Sequence, residues 1–330
     1  MVRALVTGGA GYIGSHTCKL LTREGFETVV FDNLSRGHRD FVKWGPLVTG
    51  DLKDTTLLRE TLRWFKPDVV IHFAAFAYVG ESITNPGLYY ENNISGTLSL
   101  LEAMRQSECR NIIVSSTCAT YGQPERMPID ETMPQNPINP YGESKLVMER
   151  MCRAFEISHG IKSIALRYFN ACGADIDGDI GERHDPEPHL IPRVLMAADG
   201  ALEAIDVFGN DYPTPDGSCI RDYIHVTDLA DAHVKAARHL MNGGDSDAVN
   251  LGTGRGRSVF DVVASVERVA KKSVPIRIGP RRPGDPAELV ADASKANRVL
   301  GWRAGNSGLD QIIQSAWSWY CKELNRTAKA

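Results

Sequence analysis

A tyrosine and a lysine four residues apart, inside Asn139-Pro140-Tyr141-Gly142-Glu143-Ser144-Lys145, form the pair in this chain best suited to proton chemistry. Pro140 fits a first helical turn, and Leu146, Val147, Met148, Met151 and Phe155 recur at amphipathic spacing, so a helix is expected over residues 141–157. Positions i and i+4 share a helix face, which sets Tyr141 beside Lys145. A phenol, with a reference pKa of about 10, is a poor base near neutrality. An adjacent ammonium stabilises the phenolate and lowers that value, so the pair could take a proton from a hydroxyl. An exposed tyrosine next to a solvated lysine is the plainer reading of these two residues alone, and the elements around them must decide.

Those elements begin with Arg3-Ala4-Leu5-Val6, a short apolar strand that runs into Thr7-Gly8-Gly9-Ala10-Gly11-Tyr12-Ile13-Gly14-Ser15 and then a helical pattern from His16 to Glu24. In such a strand, turn and helix, Gly8 permits the tight turn, Gly11 lets the backbone approach a pyrophosphate, and Gly14 lets helix and strand pack closely. A glycine triplet alone is weak, but Thr28-Val29-Val30-Phe31 forms the next strand and ends at Asp32, 18 residues past Gly14. A carboxylate there accepts ribose hydroxyls and repels a 2′-phosphate, which favours NAD over NADP. Arg36, close by, is the one residue that weakens this preference.

Strand and helix continue to alternate. A third short strand closes on Asp51 and Leu52, and Val69-Val70-Ile71-His72 leads into Phe73-Ala74-Ala75, small enough for a backbone to pass a nucleotide. Residues 88–107 read as a helix with Asn92 and Asn93 able to reach a cofactor, and with Ile94, Leu98, Leu101 and Met104 on a stripe that suits either the core or a subunit contact. Asn111 to Thr117 is another strand whose hydroxyl cluster emerges at the carboxyl edge, where doubly wound sheets bind ligands, and Thr117 is placed to orient a hydroxyl. Beyond Cys172 the chain turns rich in Gly, Asp, Glu and Pro, as expected of a crossing to a second lobe. The expected architecture is therefore α/β, a Rossmann-type doubly wound parallel sheet over residues 1–172 with a smaller mixed α/β lobe over 173–330. Segments near 221–240 and 250–254 are expected to return to the first domain. In the second lobe Arg221, Arg281, Arg282 and Asp285 stand out, since guanidinium groups match a diphosphate.

Composition narrows the partners. A chain of 330 residues, 42% hydrophobic, can bury a sizeable core, and a net charge of −4 with 37 dispersed basic residues argues against nucleic acid. The apolar stretch around Val69 to Val79 is broken by His72 and too short for a bilayer, so a cytoplasmic protein is expected. Seven scattered cysteines without a C-x-x-C pair suggest reduced thiols, and nine dispersed histidines without helical i, i+4 pairing suggest no metal.

The motifs T-G-G-A-G-Y-I-G, S-S-T at 115–117, Y-G-E-S-K at 141–145 and R-Y-F-N at 167–170 together resemble the extended short-chain dehydrogenases/reductases, and among them the UDP-glucose (UDP-galactose) 4-epimerases. D-N-L at 32–34, V-G-E-S at 79–82, F-G-N-D-Y at 208–212, R-D-Y-I-H at 221–225 and P-R-R-P-G-D at 280–285 extend the likeness nearly end to end. The resemblance implies catalysis by Thr117, Tyr141 and Lys145, with NAD held by the glycine turn and by Tyr12, Ile13, Asp32, Asn33, Asp51, Leu52, Asn93 and Phe169. It implies a UDP-sugar held by Asn170, His189, Leu190, Phe208, Arg221, Arg282 and Asp285, with Leu289 near any N-acetyl group. It also implies a homodimer formed through the helices at 88–107 and 141–157. In the implied reaction Tyr141 takes the proton of the sugar 4-hydroxyl, C4 gives hydride to the nicotinamide, and the 4-keto sugar turns over before hydride returns to its other face. Lys145 would hold the cofactor ribose and depress the tyrosine pKa.

Relatives that dehydrate or decarboxylate place an acid just after the threonine, whereas Cys118 and Ala119 stand here, so elimination ranks low. Many hexose epimerases carry a lysine shortly after Phe73; this chain has Phe76-Ala77-Tyr78, which puts cofactor retention in question. F-A-A-F-A-Y-V-G-E-S and S-S-T-C-A-T-Y-G also look like the branch of UDP-xylose/UDP-arabinose 4-epimerases, making pentose specificity the runner-up. A catalytically silent NAD-binding scaffold is disfavoured because all three catalytic positions are filled.

Overall fold

The structure, a computed structural model, describes residues 1–282 and 284–327. Strands β1 (Arg3–Thr7), β2 (Glu27–Asp32), β3 (Leu47–Thr49), β4 (Val69–His72), β5 (Asn111–Thr117) and β6 (Lys162–Tyr168) follow each other along the chain. After them come β7 (Asn170–Cys172), β8 (Ile205–Phe208), β9 (Ile220–His225) and β10 (Asp247–Leu251), then β11 (Gly256–Ser258), β12 (Ile276–Gly279) and β13 (Glu288–Leu289). Seven of them make one sheet in the order β10-β6-β5-β4-β1-β2-β3, every neighbour parallel. This is the α/β, doubly wound Rossmann-type sheet. Sequence order reverses between β1 and β4, and such a switch point opens a crevice beyond the carboxyl ends of the strands.

A parallel sheet must be covered on both faces, and alternation along the strands divides the core accordingly. Ala4 and Val6 of β1 point to the face covered by helices Tyr12–Arg23 and Val226–Met241, in a cluster with Leu21, Ile71, Leu166, Leu229 and Trp302. Leu5, between them, points the other way, into Phe31, Leu58, Leu62, Leu100, Met104 and Met148 from helices Thr55–Phe65, Gly96–Arg105 and Pro140–His159. Full burial of one such side chain is worth ~1.5–3 kcal/mol, so this division fixes the register of the strands that carry the site.

The remaining strands form two small sheets, one running β11-β9-β13 with β7 also on β9, the other pairing β8 with β12. They pack with helices Leu190–Asp199, Val259–Ala270 and Leu309–Thr327 around Val194, Ile205, Tyr223, Val262, Val266, Ile312 and Ile313. One element departs from the sequence pattern. The helix expected over 88–107 is continuous from Pro86 to Arg105, but Tyr90–Ser95 is a π-helical turn. The wider turn carries Asn93, whose amide is buried against the neighbouring loop, and π segments occur mostly where a side chain must be re-aimed.

Candidate active site

β5 ends at Thr117, and helix Pro140–His159 starts beside it. Pro140 occupies the first turn, and the Asn139 side chain caps it by accepting from the Gly142 N–H at 2.8 Å. Gly142 is required for the approach: a Cβ there would come within 2.5 Å of the Ala119 carbonyl oxygen. The first helical turn can therefore lie directly on the short turn Cys118–Tyr121 that follows the strand. Tyr141 is 8% exposed and hydrogen-bonded to Thr117, with the ring of Tyr89 edge-on at 6.4 Å. One turn later Lys145, 2% exposed, donates to the Ser115 carbonyl at 2.8 Å.

Burial sets the electrostatics of this group. It pushes the Tyr141 phenol up to about 12, against the hydrogen bond from Thr117, and pushes Lys145 down to about 7, against the carboxylate of Glu149. The expected depression of the tyrosine by its lysine is therefore not met in the cofactor-free chain. The Lys145 ammonium is committed to a carbonyl, and desolvating a phenolate costs more than that lysine returns. A further positive charge beside the ring would lower the phenol's pKa.

Several supports of this group carried no recognisable sequence signal. The hydroxyl of Ser115 shares a hydrogen bond with that of Tyr168 on β6. His72, fully buried between the Thr7 hydroxyl at 2.7 Å and the Thr97 hydroxyl at 2.9 Å, is driven down to about 3 by burial and by Lys145, and so stays neutral. Arg167 and Glu149 form a two-pronged pair at 3.0 and 2.6 Å with side chains 6% and 9% exposed. Arg167 also donates to Tyr121, which donates in turn to Asn250 on β10. This network locks the tyrosine helix to the sheet, and only R-Y-F-N at 167–170 hinted at it.

The glycine turn lies at the switch point. Gly8 has φ +73°, and a Cβ on it would meet the Ala74 nitrogen at 2.5 Å, while one on Gly14 would meet the Gly8 oxygen at 2.3 Å. Both close approaches hold helix Tyr12–Arg23 with Gly11 at its cap, no acid in its first turn and no side chain capping it, an arrangement that faces backbone N–H groups toward an anion. Tyr12 donates to the Gly173 carbonyl at 2.5 Å, and Ile13 packs on the core. Asp32 closes β2, accepting from the N–H of Ala10 at 3.0 Å and of Leu34 at 2.8 Å; burial lifts its pKa against those two bonds. Each of its oxygens accepts one N–H, leaving acceptor capacity that fits a ribose diol. Arg36 does not offset it: its guanidinium pairs with Glu81 at 2.6 Å and stacks over Phe76 and Tyr78, so it is committed elsewhere and the preference for NAD stands.

Asn33 donates to Asp51 at 2.8 Å, Leu52 is buried beneath, and Phe73, Ala74 and Ala75 follow β4 across the glycine turn. Asn93 is wholly buried, and its amide bonds the backbone of Phe76, the Ser144 hydroxyl and the Asn92 side chain, all within the protein. It ties the loop after β4 to the tyrosine helix. Phe169 is buried with Tyr121, Ile129, Met133 and Leu289.

The second-lobe residues fall into two sets. Arg221 on β9 pairs with Asp285 and donates to the Ile220 carbonyl at 2.7 Å; Leu289 on β13 sits opposite Arg221, and Asn170 on β7 opposite Tyr223. The Arg282 guanidinium lies 3.9 Å over the ring of Phe208, while Arg281 covers Tyr212 and pairs with Asp211. Outside that set, His189 and Leu190 open the helix Leu190–Asp199, and the His189 ring is tied to Glu182 and Glu187.

A doubly wound sheet with a glycine turn after its first strand, an acid closing its second and a buried Thr-Tyr-Lys group defines a nicotinamide-dinucleotide enzyme of the short-chain dehydrogenase/reductase kind. Residues 4–252 match the NAD dependent epimerase/dehydratase family, and the chain belongs to it. It is 51% identical over 318 residues to a UDP-glucose 4-epimerase of Rhizobium leguminosarum bv. trifolii, covering 96% of this chain and 97% of the relative. The structure of a UDP-glucose 4-epimerase from Brucella ovis in complex with NAD is 55% identical with a TM-score of 0.95, covering 96% of this chain and 98% of that one. A UDP-glucose-4-epimerase from Stenotrophomonas maltophila with bound NAD and formylated UDP-arabinopyranose is 38% identical with a TM-score of 0.96, covering 99% and 100%. No described helix is long and apolar enough to cross a membrane.

Proposed function

We infer that the chain is an NAD-dependent UDP-sugar 4-epimerase, an isomerase that interconverts UDP-glucose and UDP-galactose through a transient 4-keto sugar. The observation that carries this is the buried Tyr141 hydrogen-bonded to Thr117, one helical turn from Lys145, in a chain about half identical to UDP-glucose 4-epimerases over nearly its full length. Bound NAD supplies the hydride acceptor and a positively charged ring. Gly8, Gly11, Tyr12, Ile13 and Gly14 hold its pyrophosphate, and Asp32 with Asn33 holds the adenosine ribose. Asp51, Leu52, Phe73, Ala74, Ala75 and Phe169 line the remainder, with Asn93 setting the loop after β4.

Tyr141 accepts the proton of the sugar 4-hydroxyl and later returns it, while Thr117 orients that hydroxyl. Lys145 holds the cofactor ribose, and its charge together with that of the nicotinamide ring brings the phenol down from its cofactor-free value. Cys118 and Ala119, where an eliminating enzyme needs an acid, leave proton return to Tyr141 as the available step. Arg221, Arg282 and Asp285 hold the diphosphate and nucleoside side of the substrate with Asn170, Phe208, His189 and Leu190, and Leu289 borders the sugar. Purified protein given UDP-galactose should form UDP-glucose without added reductant; absence of product would reject the reading.

A second reading, pentose epimerisation, draws support from the UDP-arabinopyranose derivative in the S. maltophila structure. Comparing kcat/KM for UDP-galactose and UDP-arabinopyranose decides between them. The first domain comprises residues 1–172 with segments near 221–240 and 250–254; helix Val226–Met241 and β10 support this by joining its core and sheet, whereas β9 belongs to the small sheet, and Ala296 and Trp302 also pack into the first-domain core. A homodimer through helices Gly96–Arg105 and Pro140–His159 is supported by exposed Leu98 (44%) and Ile157 (83%), and light scattering on the purified protein tests it. Seven unpaired cysteines suit a reducing cytoplasm.

A further inference from the structure

The segment between β7 and helix Leu190–Asp199 reads Gly181-Glu182-Arg183-His184-Asp185-Pro186-Glu187-Pro188-His189, and it folds so that two carboxylates and two imidazoles converge. His189 Nδ1 lies 2.8 Å from Glu182 Oε1 and 2.9 Å from Glu187 Oε1, and His184 Nδ1 lies 3.2 Å from Glu187 Oε2 and 3.5 Å from Glu182 Oε1. All four groups offer ligand atoms within 4.8 Å of one another. In a tetrahedral site with ligand bonds of about 2.0–2.1 Å, neighbouring ligand atoms stand about 3.3 Å apart. The four imidazole–carboxylate separations bracket that edge, and the remaining pairs of ligand atoms lie within 4.8 Å.

Charge points the same way. In the metal-free chain the two carboxylates hold the His189 imidazole protonated, its pKa raised to about 10; a metal must displace that proton, and with both imidazoles neutral the cluster carries −2, which a dication cancels. Among the described residues these carboxylates have no lysine or arginine as an ion-pair partner. The other acidic cluster, Asp175, Asp177 and Asp179, is filled by the Lys19 ammonium at 2.6, 2.8 and 2.9 Å. Glu182 and Glu187 are nearly buried at 7% and 10%, while His189 is 41% exposed and leaves an ion a way in. Two nitrogen donors favour a borderline ion of the zinc kind over calcium or magnesium, which take oxygen.

We propose that Glu182, His184, Glu187 and His189 form a binding site for one divalent transition-metal ion of the zinc class. The ion cross-links the inter-lobe segment, whose His184 packs against rings of the first domain. Its neighbours make that a useful place: the ring of Tyr12, from the glycine turn, lies edge-on to His184 at 6.4 Å, and the ring of Tyr78, from the loop after β4, lies edge-on to it at 5.6 Å. Trp319 donates to the Glu182 carbonyl at 3.1 Å, so the ligand loop is also held from the last helix. The sequence expectation of no metal rested on the lack of i, i+4 histidine pairs; E-x-H-x-x-E-x-H in a loop supplies the donors without one.

The test uses chelator-treated full-length protein and zinc or cobalt(II) chlorides. The expected result is one zinc bound per chain by calorimetry, a raised Tm, and the intense visible bands of four-coordinate cobalt. His184→Ala and the nearly isosteric Glu187→Gln should each weaken zinc at least tenfold and abolish those bands, circular dichroism confirming that both variants fold. The proposal is overturned by failure of the parent to bind zinc, by a weak six-coordinate cobalt spectrum, or by binding that both variants retain, which would mark an adventitious ion only. Every readout is independent of epimerisation, so failure here leaves the proposed activity standing and the reverse holds equally.

Discussion

Lys19 and Lys145 sit in the same domain, 5% and 2% exposed, and have been driven in opposite directions. Burial works to lower Lys19, but hydrogen bonds to Asp175, Asp177 and Asp179 outweigh it and hold the ammonium charged. Lys145 has a carbonyl and one carboxylate, Glu149, that is engaged by Arg167, and burial brings it down to about 7. Similar exposure thus yields a permanent clamp in one place, nearer the surface, and a group poised to titrate in the other, deeper in the core. What separates them is whether carboxylates face the nitrogen and how deeply it lies, so perturbed ionisable groups mark chemistry where their partners leave the charge unsettled.

The comparison is broken most forcefully at the phenol that Lys145 serves. Tyr141→Phe removes the group proposed to take the proton, and turnover of UDP-galactose should fall by at least ~10³-fold, at the upper part of the range for general-base loss. NAD measured in the purified variant should be unchanged. Retained activity would show that the proton leaves by another route.

The two lysines themselves give the next test. Lys145→Met should lose about 10²-fold in activity, yet gain stability in the cofactor-free protein at neutral and lower pH. The sign follows from linkage. With a folded pKa of about 7 against 10.5 unfolded, the unfolded chain binds more protons between those values, so this group's contribution to stability rises with pH across that window and is least below it. The gain in Tm should therefore be largest below pH 7 and fade toward pH 10. Lys19→Met should do the reverse, costing ~3–5 kcal/mol by stranding the buried carboxylate of Asp175. If the two variants behaved alike in melts across pH, the distinction would fail.

Smaller effects sharpen it. Arg221→Ala deletes a guanidinium held by Asp285 and should raise KM for UDP-sugar about 10–100-fold, the loss of a charged hydrogen bond, with kcat less affected. Tyr168→Phe removes the hydroxyl bonded to Ser115, whose carbonyl holds Lys145, and should cost ~1 kcal/mol of stability and a few-fold in kcat.

The sequence made the Rossmann half legible because its signals are local: the glycine spacing, Asp32 at a strand end, and Tyr141 and Lys145 on one helical face. The π-turn at Tyr90–Ser95 was hidden because a single widened turn scarcely alters an apolar stripe. The Arg167–Glu149 pair and the Ser115–Tyr168 contact were hidden because they join a helix to a strand 18 residues on and two strands 53 residues apart. Arg36 looked like a threat to NAD selectivity until its partner Glu81, 45 residues on, was placed. The tyrosine pKa was misjudged for a different reason: spacing reports which charge is near, whereas burial decides what that charge is worth.

The most direct test uses UDP-galactose deuterated at C4 and NAD-bearing protein in ordinary water. UDP-glucose should form with its deuterium still at C4 and with no reduced cofactor accumulating at the end. Product that has exchanged its deuterium for solvent hydrogen, or a substrate left unconverted, would contradict the account.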